Sequence, residues 1–140
     1  MYTYKCVVTK VIDGDTIDVD IQLGFNVILY KQRIRLHGID TPESRTRNLE
    51  EKARGLLSKQ YMLDNAPVGS TITLQSLGKG KFGRILGNIW SEGDEVNPDT
   101  SINKRMCLDG FAVAYFGGSK DELEAKHMEN KEILISKGLL

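Results

Sequence analysis

Val11-Ile12-Asp13-Gly14-Asp15-Thr16-Ile17-Asp18-Val19-Asp20-Ile21-Gln22-Leu23 is the stretch from which the fold can be read. Ile17, Val19, Ile21 and Leu23 alternate with Asp18, Asp20 and Gln22, the period-two pattern of a strand with one face buried and its acids toward water. Upstream, the β-branched run over residues 4–12 supplies a partner strand, and Asp13-Gly14-Asp15 supplies turn chemistry in which glycine makes the bend of a hairpin. Downstream, a third strand is predicted from about Asn26 to Gly38, ending where Asp40-Thr41-Pro42 stops sheet pairing and holds Thr41 extended. Further out, Asn48 and Glu51 form a capping pair for a helix whose predicted buried face is Leu49, Ala53, Leu56, Leu57 and Tyr61. After the turn Ala66-Pro67-Val68-Gly69, strands are predicted at 71–74 and 84–90, with Trp90 as core, joined by the glycine-rich residues 78–83. A short helix near Ser101–Leu108 and a last helix marked by Ser119 and Glu122 complete the chain.

Three antiparallel strands, a helix, two more strands and trailing helices predict an α+β fold that is mainly β, a five-stranded OB-fold barrel with about three helices. The 140 residues suit a single domain over 1–140, and 40% hydrophobic with 27% charged residues is ordinary globular usage, which excludes disordered and fibrous classes. No apolar stretch approaches the roughly 20 residues that a bilayer requires, so no membrane association is expected. Met1-Tyr2-Thr3-Tyr4-Lys5-Cys6 lacks the basic start and apolar middle of a secretory signal, which predicts a cytoplasmic protein, or one of the host-cell cytoplasm if the source is viral. Cys6 and Cys107 share no C-x-x-C spacing and are read as free, packed thiols.

The 19 basic and 19 acidic side chains cancel, which argues against a general polyanion binder. Their distribution is uneven. Residues 27–60 carry eight Lys/Arg against four Asp/Glu, residues 77–90 carry three and no acid, and residues 91–140 carry six against ten. If the two basic stretches meet, they form one basic site on a neutral body, suited to a phosphate-bearing ligand; either alone is a solvated surface.

Asp13-Gly14-Asp15-Thr16 is not an EF-hand, because counting from Asp13 the required glycine falls on Asp18 and the bidentate glutamate on Gly24. Residues 78–85 are not a P-loop, because Arg84 and Ile85 stand where Lys and Ser/Thr are required. A hard divalent cation can instead take oxygen ligands from Asp15, Asp40 and the Thr41 carbonyl, with water and a phosphate oxygen completing the set. Glu43 is then free to orient or deprotonate a water for attack on a phosphodiester. Arg35 and Arg84 suit the charge that builds on the phosphoryl oxygens, since the guanidinium fork donates two parallel hydrogen bonds. Lys79 and Lys81 lie in the glycine-rich link, a flexible turn or a basic loop touching phosphates. With two histidines in the chain, His37 and His127 are read as structural or surface residues.

The stretches Val11–Thr16, Arg33–Glu43 and Lys81–Gly87, with a weaker one from Ile102-Asn103 through Gly110-Phe111-Ala112, resemble the staphylococcal nuclease (thermonuclease) family in order and spacing over about residues 5–116. The resemblance implies an OB-fold nuclease, sugar-nonspecific and calcium-dependent, with Mg²⁺ or another divalent ion as the alternative, that cleaves DNA and RNA to leave 3′-phosphates. It further implies a monomer whose partner is its nucleic acid substrate. Asp15, Asp40 and Thr41 match the metal ligands; Arg35, Glu43 and Arg84 match the catalytic trio; Asp13 resembles a carboxylate behind the ligands. Lys81 matches a lysine that approaches a nucleotide phosphate. Phe82 stands where the family has a tyrosine, keeping a ring but no hydroxyl, and Tyr115 is a candidate base contact. The segment 94–100, the extra Arg45, Arg47 and Arg54, and the neutral charge are departures, the last predicting weaker long-range attraction to nucleic acid. The alternative class is a non-catalytic OB-fold module that binds nucleic acid or protein; such modules lack some of these carboxylates or arginines, and here all are present.

Overall fold

The computed structural model describes residues 2–140, apart from the side chain of Lys81. In chain order the elements are β1 (Thr3–Asp13), β2 (Thr16–Gly24), β3 (Val27–Leu36), β4 (Ile39–Asp40), α1 (Leu49–Asn65), β5 (Thr71–Lys79), β6 (Ile85–Ser91), α2 (Ile102–Leu108), β7 (Val113–Ala114) and α3 (Lys120–Ser136). Five strands close a barrel in the order β1-β2-β3-β6-β5, with β5 pairing back to β1. All neighbours are antiparallel except β3 and β6, which run parallel at Ile34–Ile85, Arg35–Leu86 and Leu36–Gly87. The expected five-stranded barrel of an OB-fold with three helices is present. The short pair β4–β7, absent from the sequence reading, ties Asp40 to Val113.

Alternation along β2 behaves as its residues require up to Ile21: Ile17, Val19 and Ile21 are buried, and they pack with Val8, Ile34, Leu36, Ile72, Leu74 and Ile89 inside the barrel. Leu23 was expected to continue this face but is exposed. The β2–β3 hairpin outruns the barrel, so residues 22–30 have no opposing wall and face solvent on both sides. Trp90 is buried and its indole N–H donates to the Asn97 carbonyl and Thr100 Oγ1, which fastens the segment after β6. Asn103 is a buried polar clamp: Nδ2 donates to the carbonyls of His37 and Gly87, and Oδ1 accepts from Ile89 N. It thereby satisfies backbone groups where β3 leaves the barrel, as buried polar groups demand.

Helix α1 begins as expected, with Asn48 Oδ1 accepting from the amides of Glu50 and Glu51. Its buried face differs from the expectation. Leu49, Ala53 and Leu56 are exposed and Leu57 and Tyr61 are half-buried, whereas Arg54, Gly55, Ser58 and Met62 are buried. The reason is close approach: a Cβ on Gly55 would collide with the Glu43 carbonyl and come within 2.6 Å of Ser44 N, and one on Gly14 would come within 2.7 Å of Ser58 Cβ. Gly14 has an ordinary negative-φ backbone, so its glycine serves this contact with α1 and not a left-handed bend.

Both cysteines are free; Cys6 is fully buried in β1 and Cys107 is half-buried. Burial pushes the Cys6 thiol up to about 12, and Tyr61 also rises to about 12, through burial and then through its hydrogen bond to Asp109 Oδ2. In the unfolded chain these groups titrate near their ordinary values of about 8.5 and about 10. Between those values and 12 the folded protein holds more protons, so stability is intact below about pH 8.5 and falls as pH rises. Urea titrations should therefore show an alkaline loss of unfolding free energy that is shallower in Cys6→Ala. A flat profile up to about pH 11 would contradict this burial.

Candidate active site

The site is assembled where β2 begins, where β3 ends and along the chain that follows. The Asp15 carbonyl accepts from Leu36 N at 2.8 Å, locking the turn between β1 and β2 against the end of β3. This puts Arg35, which precedes that contact on β3, over two carboxylates: Nη2 is 3.4 Å from Asp15 Oδ2 and 3.6 Å from Asp40 Oδ1. Nη1 of the same guanidinium donates to the carbonyls of Leu36 at 2.9 Å and Ile39 at 3.0 Å. Arg35 therefore braces the corner between β3 and β4 while facing both acids.

Each carboxylate is held in turn. Asp15 Oδ1 accepts from Thr16 Oγ1 at 2.9 Å and Oδ2 from the Thr41 amide at 3.4 Å. Asp13 accepts from the buried Ser44 hydroxyl, so it is anchored to the segment that carries Glu43. The Glu43 amide donates to Glu51 Oε2 at 3.1 Å. Desolvation and then repulsion from Asp13, Asp15, Asp40 and Glu51 hold the Glu43 carboxyl above the usual glutamate range. The cluster is thus an acidic concentration faced by Arg35.

His127, 87 residues away in sequence, places Nε2 2.8 Å from Asp40 Oδ2 and is buried. This contact with Asp40 goes beyond the structural or surface role expected of His127. The available signal was positional: Leu123, His127, Asn130 and Leu134 form one stripe along α3, the stripe that turns inward. Arg54, noted in the sequence only as an extra arginine, is buried and forms a fork with Glu50 at 2.7 and 3.2 Å. Lys131 approaches Glu50 at 3.4 Å, tying α3 to α1. Hydrogen bonding from Arg54 is the main reason that the Glu50 carboxyl lies below its usual range. Asp40, Thr41, Glu43, Arg54 and His127 line one cleft between α1 and α3.

The remaining candidates lie apart from this cluster. Arg84, immediately before β6, faces a second cleft together with Phe82, and its guanidinium carbon is 5.9 Å from the Phe82 ring centre. Lys79 is exposed at the end of β5, and the Lys81 side chain lies outside the described residues. Tyr115 is half-buried beyond β7, its amide donating to the Gly38 carbonyl, and it borders a third depression between Ala114 and Lys126. Among the described residues, no three His, Cys, Asp or Glu side chains converge as a ready-made metal cluster. No helix among them is long and apolar enough to cross a membrane.

The family model described as staphylococcal nuclease homologue matches residues 33–135, which contain Arg35, Asp40, Glu43, Arg84 and His127. The chain belongs to this family. A thermonuclease of Staphylococcus intermedius is 32% identical over 118 residues, covering 82% of this chain and 62% of that protein. Protein ParB of Escherichia coli is 31% identical over 130 residues, 89% of this chain and 65% of the relative. Endonuclease YhcR of Bacillus subtilis is 28% identical over 120 residues, 81% of this chain but 9% of that protein. This staphylococcal nuclease homologue thus spans less than two thirds of the length of each of these relatives.

Proposed function

We propose that this domain is a metal-dependent nuclease that hydrolyses phosphodiester bonds of DNA, RNA or both and leaves 3′-phosphate ends. The observation that carries the reading is the Arg35 guanidinium facing Asp15 and Asp40 together, with Glu43 beside the same acids. Nuclease and endonuclease relatives support the same class.

The donor set fits a hard divalent cation. Asp15, Asp40 and the Thr41 carbonyl offer oxygens only, and the repulsion felt by Glu43 marks an excess of negative charge that a cation relieves. Ca²⁺ is the ion proposed, Mg²⁺ the alternative; when bound, it would polarise a phosphoryl oxygen and neutralise developing charge. Thr16 and the Thr41 amide orient Asp15, and His127 orients Asp40. Glu43 positions a water and accepts its proton as the water oxygen bonds to phosphorus. The P–O5′ bond breaks, the departing 5′-oxygen takes a proton from solvent, and the phosphate stays on the 3′ side. Arg35 binds the phosphoryl oxygens as charge builds on them, and Arg84, two residues before the Leu86 that pairs with Arg35, is the proposed second donor.

The test is degradation of single-stranded DNA, duplex DNA and RNA with Ca²⁺, with Mg²⁺ and with chelator. Cleavage with divalent metal, abolished by chelation and restored by readdition, is the expected result. Intact substrates under every metal would overturn the reading, and binding without cleavage would favour the non-catalytic module.

A further inference from the structure

The β2–β3 hairpin has a charged base and an uncharged tip. At the base, Lys31 and Arg33 line the cleft that holds Arg84, so the two basic stretches of the sequence meet there. Arg33 is engaged by Asp18 through two hydrogen bonds of 2.8 and 3.1 Å, and the Lys31 amide donates to Asp20 Oδ1 at 3.0 Å. Beyond them, residues 22–30 carry no charge. Leu23, Phe25, Val27, Ile28, Leu29 and Tyr30 are all exposed there, Phe25 to 98%. An apolar tip of roughly 600 Å² is at the upper end of what a monomer shows to solvent, and such patches mark interaction sites. Phe25 and Asn26 form the two-residue turn between Gly24 and Val27, with φ of +55° and +64°. Asparagine tolerates this left-handed region, whereas phenylalanine rarely adopts it. Strain that holds an aromatic ring out in water points to a use for the ring outside the chain's own core.

The backbone supplies a second observation. β3 has β6 on its outer side only at Ile34–Leu36, so among the described residues no strand covers the outer edge of residues 27–33. At residues 30–31 the chain's own side chains bond to the backbone: Gln32 Nε2 donates to the Tyr30 carbonyl at 2.9 Å, next to the Lys31 amide held by Asp20. Residues 27–29 have no such cover among the described residues. Sheet edges are kept from pairing by proline or charge, and Val27-Ile28-Leu29 has neither. A two-stranded ribbon with no third strand beside it is marginal in water. What completes it must bring an uncharged strand edge. Lipid offers no N–H or C=O to pair with that edge. The cations at the base are matched by Asp18 and Asp20, which leaves no positive collar for an anionic membrane.

We propose that two copies of this chain pair through their hairpin tips, edge to edge about a two-fold axis, each supplying the uncharged strand that the other lacks. An antiparallel pair about an axis perpendicular to the ladder matches residues of equal parity. Centred on Ile28, it sets Ile28 opposite its own copy and Val27 opposite Leu29, and it brings Phe25 toward Lys31, a cation beside an aromatic ring. Ile28 lies seven residues before Arg35, roughly 20 Å along the strand, so the acidic cluster stays open in the dimer. Pairing of this kind does not depend on the nuclease reading, and it departs from the monomer that the family resemblance implies.

Sedimentation equilibrium of the wild-type chain should show the mass passing from one chain to two, with a midpoint on the order of 10–100 μM, as an interface this small dictates. Ile28→Lys sets two like charges opposite each other and should leave the chain monomeric up to about 500 μM. Phe25→Asn should weaken the dimer about fivefold without lowering the melting temperature, since it also relieves the left-handed turn. Both positions are exposed, so circular dichroism should show an unaltered fold. In a Cys107→Ser background, Ile28→Cys should form a disulfide-linked dimer on mild oxidation, because directly opposed Cβ atoms lie about 4.5–5.5 Å apart; Gln22→Cys, on the far side of the ribbon, should not. A wild-type mass of one chain up to about 500 μM overturns the proposal. So does a dimer unmoved by Ile28→Lys, which would place the interface elsewhere. A monomer that co-sediments with phosphatidylcholine–phosphatidylserine vesicles, and ceases to in Ile28→Lys, overturns it in favour of a lipid surface.

Discussion

Glu43→Gln should lower the single-turnover cleavage rate by about 10²-fold or more while leaving the fold intact, the effect expected from deleting a general base. In free energy this is about 2.7 kcal/mol of transition-state stabilisation. The substitution is nearly isosteric and removes only the ionisable function. Glu43 is the group on which desolvation and the charges of Asp13, Asp15, Asp40 and Glu51 converge, so removing its charge relieves repulsion and should not lower the melting temperature. Its backbone amide keeps its bond to Glu51. The loss should therefore appear in the rate, with oligonucleotide affinity equal to or above wild type, because a negative charge has gone from beside the substrate phosphates. An unchanged rate would remove Glu43 from the mechanism, and a lost fold would make it a structural residue.

Gly55→Ala should destabilise the protein by about 1–2 kcal/mol and reduce cleavage, although helix propensity alone predicts stabilisation of about 1 kcal/mol. The two effects have opposite signs, which makes the variant decisive. At this position the new methyl group meets the Glu43 carbonyl and Ser44 N, backbone atoms that cannot swing aside as a side chain would. That backbone is itself pinned: Ser44 bonds to Asp13, and Ser58, one turn along α1, donates to the Phe111 carbonyl at 2.6 Å. The strain must move α1 or residues 43–44. A displacement of about 1 Å at a catalytic group is enough for a loss on the order of 10²-fold. Urea denaturation gives the first quantity and cleavage kinetics the second. A more stable, fully active variant would show that α1 does not hold Glu43 at the distance described.

These two residues mark the boundary of what periodicity can report. Along β2, alternation located Ile17, Val19 and Ile21 correctly because each faces the barrel interior, and it failed at Leu23 because no signal in the strand says where the barrel wall ends. Asn48 and Ser119 were legible as caps, since capping is settled within three or four residues of chain. The face of α1 was not legible. Hydrophobic periodicity finds faces made of large apolar side chains, and this helix docks through Gly55 and Ser58, whose value lies in the room that they leave.

The same distinction runs through the site. Asp15, Arg35 and Asp40 could be named from short motifs because the β1–β2 turn and the end of β3 are joined by local pairing. The approach of Arg35 to both acids follows from a few backbone bonds. His127 beside Asp40, Ser44 on Asp13, and Lys31 and Arg33 across from Arg84 could not be named in this way, because they link segments up to 87 residues apart. By itself the sequence determined the five barrel strands, the caps and the types of group able to work on a phosphodiester, all legible from residues close together in the chain, and the order of those elements gave the barrel class. Only the tertiary structure decided which face of α1 turns inward, which residues orient the acids and where the two basic stretches meet. Those outcomes depend on steric fit and charge compensation between distant segments, which no local pattern encodes.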